Sequence, residues 1–133
     1  MSAVVADTHA LVWYLTRPNR LSEEARDALD EAAESGQPIY LSVISLIEVI
    51  YLVERGRLSA AFLERLQDEL IRPNSTLEIV ALDFAVANTV RRIPGEIVRE
   101  MPDRLMAATA LHLGVPLVTR DHSLQSTSLV TIW

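Results

Sequence analysis

The sequence contains neither cysteine nor lysine. Without thiols it can form no disulfide, no cysteine-ligated zinc or iron–sulfur site and no thiol nucleophile. Without lysine, a Walker-type phosphate loop, a Schiff base and a lysine-dependent phospho-acceptor site each lose the residue they need. The 12 basic residues are therefore all arginine, set against 18 acidic residues for a formal charge of −6. No overall basic surface is available to hold a polyanion, so any nucleic-acid function has to explain that deficit. Long apolar runs are missing too, none approaching the roughly 20 residues of a membrane span. The apolar stretch at the N-terminus stops at Asp7 with no basic residue ahead of it, which is not the pattern of a secretory signal. The expectation is a cytoplasmic protein with no membrane association.

What is present is 133 residues, half of them apolar, with a mean hydropathy of +0.21. That suits one domain over 1–133 with a sizeable core, and there are no repeats, linkers or low-complexity segments to divide it. Short β-type runs alternate with longer helical ones. Strands are expected at 3–6, 39–43, 77–82, 117–118 and 129–133. Between them, an apolar stripe through Leu11, Val12 and Leu15 stops before Pro18, and Ser22 opens an amphipathic helix that ends at Gly36. The stretch from Ser45 to about Arg55 is apolar almost all round and reads as a largely buried helix. Further helices are expected at 59–71, 85–93 and 103–113, with a loop over 94–102. Ala107, Ala108 and Ala110 would let the last of these lie close to a sheet, and Gly114 would stop it. Repeated βα units with apolar strands predict an α/β fold: a mostly parallel five-stranded sheet flanked by helices on both faces.

In such a sheet the ligand site lies beyond the carboxyl ends of the strands. Those positions are repeatedly acidic here: Asp7 after the first strand, Glu48 in the first turn after the second, Asp103 opening the helix before the fourth, and Asp121 after the fourth. Four carboxylates on one edge repel one another, and hard divalent cations such as Mg²⁺ or Mn²⁺ bind oxygen ligands of this kind. Each residue also has a plainer reading. Asp7 could cap the helix beginning at Thr8, Ser45 and Glu48 could form a capping box, Asp103 could serve the helix dipole, and Asp121 could cap the turn from His122 to Ser126. Against the box, Glu48 is the only charge between Gln37 and Glu54, and a carboxylate in so apolar a helix needs a strong partner.

Histidine adds no metal-ligand spacing. His9 falls on a different side of its helix from Asp7, His112 reads as a surface or packed residue, and His122 follows Asp121. Trp13, Tyr14 and Tyr51 read as packing or interface groups. No Gly-x-Ser-x-Gly elbow supports a serine hydrolase, and a phosphotransfer pocket would need a lysine or an aspartate where His9 stands.

Taken in order, Val4-Val5-Ala6-Asp7-Thr8-His9, Leu41-Ser42-Val43-Ile44-Ser45-Leu46-Ile47-Glu48, the run from Pro102-Asp103-Arg104 to Ala110, and Leu117-Val118-Thr119-Arg120-Asp121 resemble the PIN-domain ribonucleases. The resemblance is strongest to the VapC-type toxins of toxin–antitoxin pairs and spans essentially the whole chain. It implies that Asp7, Glu48, Asp103 and Asp121 form an acidic quartet for Mg²⁺ or Mn²⁺, with Thr8, Ser45 and Thr119 lining the site. Relatives often carry an aspartate where this chain has Glu100, whose longer side chain could still reach. The implied reaction is hydrolysis of an RNA phosphodiester, with Arg104 and Arg120 either contacting RNA or pairing with the carboxylates. The implied partners are RNA, a cognate antitoxin that lays a helix in a groove, and a second copy in a homodimer, with the apolar helices 46–53 and 62–70 as candidate faces. The alternative is a PIN module that binds RNA or protein without cutting, or a processing nuclease with no toxin role.

Overall fold

A computed structural model describes residues 2–133, so Met1 of the expected 1–133 domain lies outside the described residues. The strands β1 (Val4–Ala6), β2 (Ile39–Ser42), β3 (Leu77–Val80), β4 (Leu117–Val118) and β5 (Thr131–Ile132) form one sheet in the order β3-β2-β1-β4-β5. Every neighbouring pair is parallel, with Val5 opposite both Tyr40 and Leu117. The helices are α1 (Thr8–Thr16), α2 (Glu23–Glu34), α3 (Val43–Glu54), α4 (Ala60–Ile71), α5 (Phe84–Thr89), α6 (Met101–Leu113) and α7 (His122–Gln125).

Side chains along a strand alternate between faces, and here both faces are covered. Val4, Ala6, Ile39, Leu41 and Val118 pack with Ala10, Leu11, Leu29, Val49, Phe62 and Leu66 of α1–α4. On the other face Val5 and Leu117 meet Ala107, Ala108 and Ala110 of α6, together with Leu124 of α7. The alanines let α6 approach the sheet closely, as their small size predicts, and Gly114 stops the helix in the left-handed conformation at φ 71°.

The chain leaves β1 toward β2 and β3, then crosses back through α5 and α6 to place β4 and β5 on the other side of β1. A right-handed crossover in each direction puts the two helix sets on opposite faces. The carboxyl ends of β1 and β4 therefore open the crevice at which strand order reverses, where α/β sheets place their ligands. Asp7 is pinned there by its N–H, which donates to Val118 O at 3.1 Å.

Several expected boundaries move. The second strand ends at Ser42 rather than Val43, because the Ser42 hydroxyl caps α3 by accepting the Ile44 N–H at 3.3 Å. The third and fifth strands are shorter than the 77–82 and 129–133 expected, and 85–93 divides into α5 and a 3₁₀ turn, Val90–Arg92. The α6 helix starts at Met101, with Pro102 in the first turn where no donor N–H is required. The helix read as largely buried is α3, of which only Ser45 and Val49 are fully buried. Ile47 is 42% and Tyr51 53% exposed. Its sequence is apolar all round, but the fold covers only one side of it. No helix among the described residues is long and apolar enough to cross a membrane.

Candidate metal centre

Asp7 directly follows β1 and caps α1, with Oδ1 accepting the Ala10 N–H at 2.8 Å. It is only 8% exposed. Burial pushes its carboxyl above the usual range and Asp121 adds to the push, against opposing hydrogen bonds from Thr119 and Ala10 and the charge of His9. Thr119 ties the two strand ends together: its hydroxyl serves Asp7 and accepts the Asp121 N–H at 3.0 Å. Asp121 caps α7, its Oδ1 accepting from Ser123 N–H at 2.8 Å, Ser123 hydroxyl at 2.6 Å and Leu124 N–H at 3.2 Å. Those bonds hold its carboxyl below the usual range in spite of desolvation. The capping readings of Asp7 and Asp121 are thus correct, and capping is what fixes each carboxylate at the sheet edge.

Glu48 arrives from α3. The capping-box alternative does not apply, because Ser42 is the cap, Ser45 lies within the first turn, and Glu48 stands in the second turn rather than the first. The strong partner that a carboxylate in this helix requires is Thr8, whose Oγ1 donates to Glu48 Oε1 at 2.5 Å. The fully buried Ser45 hydroxyl lies 2.9 Å from Thr8 Oγ1 and 3.4 Å from Met106 Sδ, backing this contact from beneath. Asp103 sits in the first turn of α6, half-buried. Its pKa is pushed up to about 6 by desolvation first, then by the charges of Asp121, Glu100, Glu48 and Asp7. Glu100 holds the N-cap position of α6 but makes no capping bond through its side chain.

These five carboxylates share the lining of one cavity of about 480 Å³ with Thr8, His9, Trp13, Met106 and Arg120. Among the described residues the ion pairs are Arg26–Asp30 and Arg72–Glu69, so none of the cavity's carboxylates is in an ion pair with a guanidinium. No three carboxylate or imidazole groups among the described residues are drawn together tightly enough to hold an ion as the side chains stand. That is the arrangement expected of like charges repelling one another around a shared space, two of them anchored by caps. The donor set, all hard carboxylate oxygen with uncompensated charge, suits Mg²⁺ or Mn²⁺. Asp7, Glu48, Asp103 and Asp121 could hold such an ion, with Glu100 beside them.

Other expectations are corrected here. Arg104 does not line the cavity. Its Nη2 donates to Val90 O at 3.0 Å and Ile93 O at 2.8 Å, so it straps α6 to the 3₁₀ turn after α5 instead of pairing with a carboxylate. His9 was expected on another side of α1, yet it lines the cavity and its charge acts on Asp7. Trp13, one turn beyond His9 and read as a packing or interface group, also belongs to the lining, as does Met106, one turn beyond Asp103, which was not singled out for the site. The periodicity of their helices is the signal that could have found them. The α3 and α4 helices do not build one groove: Phe62 and Leu66 of α4 are buried, whereas a cavity of about 310 Å³ joins Ile47 and Tyr51 of α3 to Met101 and Pro102 of α6.

The PIN domain family model matches residues 4–128. A curated relative, Ribonuclease VapC22 of Mycobacterium tuberculosis (strain ATCC 25618 / H37Rv), is 30% identical over 141 residues and covers 100% of both chains. Solved structures share the fold. VapBC2 from Rickettsia felis bound to a promoter DNA fragment aligns with a TM-score of 0.73 at 19% identity over 98% of this chain and 97% of that one. A toxin–antitoxin complex from Klebsiella pneumoniae aligns at 0.67 and 22% over 99% and 97%, and FitAcB from Neisseria gonorrhoeae at 0.65 and 22% over 96% and 95%. With the family model spanning nearly the whole chain and the acidic crevice at its strand ends, this chain belongs to the PIN domain family.

Proposed function

We propose that this chain is a Mg²⁺- or Mn²⁺-dependent endoribonuclease of the cytoplasm, acting as the toxin of a toxin–antitoxin pair. The observation that carries the reading is the convergence of Asp7, Glu48, Asp103 and Asp121 on one cavity with no guanidinium pairing any of them among the described residues. A full-length relative named a ribonuclease supports the same chemistry. A divalent ion held by Asp7, Glu48, Asp103 and Asp121 would supply activation of water and would offset charge developing on the phosphate. The chain's own residues prepare that site. Thr8 fixes the Glu48 carboxylate, Thr119 and the α7 amides fix Asp7 and Asp121, and the α6 first turn presents Asp103. The buried Ser45 hydroxyl and the Met106 thioether back the Thr8–Glu48 contact from below.

The antitoxin partner is supported by the apolar cavity beside the acidic one. Ile47 and Tyr51 line it with Met101, and it shares Thr8, His9 and Glu48 with the metal centre. A partner helix seated there would reach the carboxylates directly. The test is cleavage of total cellular RNA by purified protein with Mg²⁺ or Mn²⁺, against EDTA and against Asp103→Asn. Discrete metal-dependent fragments absent from the variant are expected. No cleavage under any condition would instead favour a PIN module that binds without cutting.

A further inference from the structure

Trp13 is a large residue of the acidic cavity to which the ribonuclease reading gives no task. Its indole packs against the α1–α4 core and against Trp133, ring centroids 6.0 Å apart. Two guanidiniums lie over that ring: Arg20 Cζ is 4.8 Å and Arg120 Cζ 5.3 Å from its centroid. Neither arginine has a carboxylate partner among the described residues. A guanidinium stacked on an indole keeps its in-plane N–H donors free, and the ring limits the freedom it would lose on meeting an anion. In a chain with no lysine and a formal charge of −6, this places two unspent cations on one rigid platform at a cavity lined by carboxylates. Arg120 lines that cavity together with Trp13, and Arg20 continues the positive charge onto the 3₁₀ turn after α1.

We infer that Arg20, Trp13 and Arg120 form a subsite for the phosphodiester backbone of single-stranded RNA beside the acidic cavity, an inference that rests on the ribonuclease reading. The guanidinium fork matches the oxygens of a phosphate, and a strand whose scissile phosphate enters the cavity must carry its neighbouring phosphates past the adjoining surface. The ring holds both cations in place, so that affinity for the strand does not have to come from the carboxylate-lined pocket itself.

The test uses the Asp103→Asn protein, in which cleavage is switched off, and a fluorescein-labelled 20-nucleotide RNA of mixed sequence. Binding is followed by anisotropy at several salt concentrations. Arg20→Gln is expected to weaken binding roughly five- to tenfold and to flatten the slope of log K against log salt by about 0.7, the share of one phosphate contact on a single strand. Arg72→Gln removes the same charge from a residue paired with Glu69 at 2.6 Å and should move neither. Trp13→Leu keeps both charges and should still weaken binding. If that variant does not fold, Arg20→Gln alone decides the matter. Unchanged affinity and slope in Arg20→Gln, while wild type cleaves RNA, overturn the subsite and leave the ribonuclease standing. A loss in Arg20→Gln of binding to poly-glutamate but not to RNA also overturns it, in favour of an acidic peptide. Absence of both RNA binding and cleavage overturns both readings.

Discussion

At the scale of single residues, the account turns on cavity carboxylates that, among the described residues, form no ion pair with a guanidinium. Asp7 and Asp103 both hold their protons more tightly in the folded chain than in the unfolded one. The stability each contributes is therefore full below about pH 4, near the unfolded value of 3.8, and is lost as pH rises through the folded value, which for Asp103 is about 6. Asp121 works in the opposite sense, its contribution present above the ordinary carboxylate range and lost in acid. Metal-free protein should lose stability as pH rises from about 4 through 6, and Asp103→Asn should remove the part of that loss that Asp103 carries. At pH 7 the variant is expected to be more stable by roughly 1 kcal/mol, a figure discounted because the carboxyl is only half-buried. Thermal unfolding in EDTA across this range checks both statements. A destabilised Asp103→Asn would return Asp103 to a plain helix-dipole role. Thr8 gives a second residue-scale prediction. Thr8→Val deletes the donor to Glu48 and should cost about 1.5 kcal/mol and most of the cleavage rate, whereas Thr8→Ser should retain both. This contact was invisible in the sequence, because it joins positions that only the fold brings together. Asp7, Glu48, Asp103 and Asp121 were legible because each stands near a strand-to-helix junction. Arg104 was misjudged because nothing local shows which way a long side chain will turn.

At the scale of elements, helix starts were the most legible feature. Ser22, Ser59 and Asp121 cap as their types suggest, accepting N–H groups two or three residues on. Ser59→Ala should cost about 1 kcal/mol, read as a fall in the thermal midpoint of a few degrees. Where two serines stand close together, the wrong one was chosen: Ser42 starts α3, and Ser45 is committed to the buried contact with Thr8 and Met106. Strands were read too long at 77–82 and 129–133, since apolar residues run on beyond the paired ones: Ala81 and Leu82 after β3, and Leu129 and Val130 ahead of β5. The α6 helix carries a sharper prediction. Ala108 is fully buried where α6 meets the sheet, so Ala108→Leu should cost about 1–3 kcal/mol and disturb Asp103 on the same helix. A variant of unchanged stability would show that α6 does not lie as close to the sheet as described.

At the scale of the molecule, five parallel strands with reversed order around β1 dictate where the chemistry can sit. The alternation of apolar strands with helices made that architecture readable. What it could not reveal was which apolar helix face stays uncovered, and so α3 was expected to be buried. The same fold gathers five carboxylates in a chain that has no lysine and a formal charge of −6. An ion that binds the folded chain alone stabilises it by mass action, about 2.7 kcal/mol at 100 times its Kd. The most direct test of the central claim is titration of Mn²⁺ into the protein with the free ion read by electron paramagnetic resonance, beside the same titration of Asp103→Asn. The account predicts saturable loss of the free-ion signal for wild type and binding at least about tenfold weaker in the variant. Equal binding by both, or none by wild type, would contradict it.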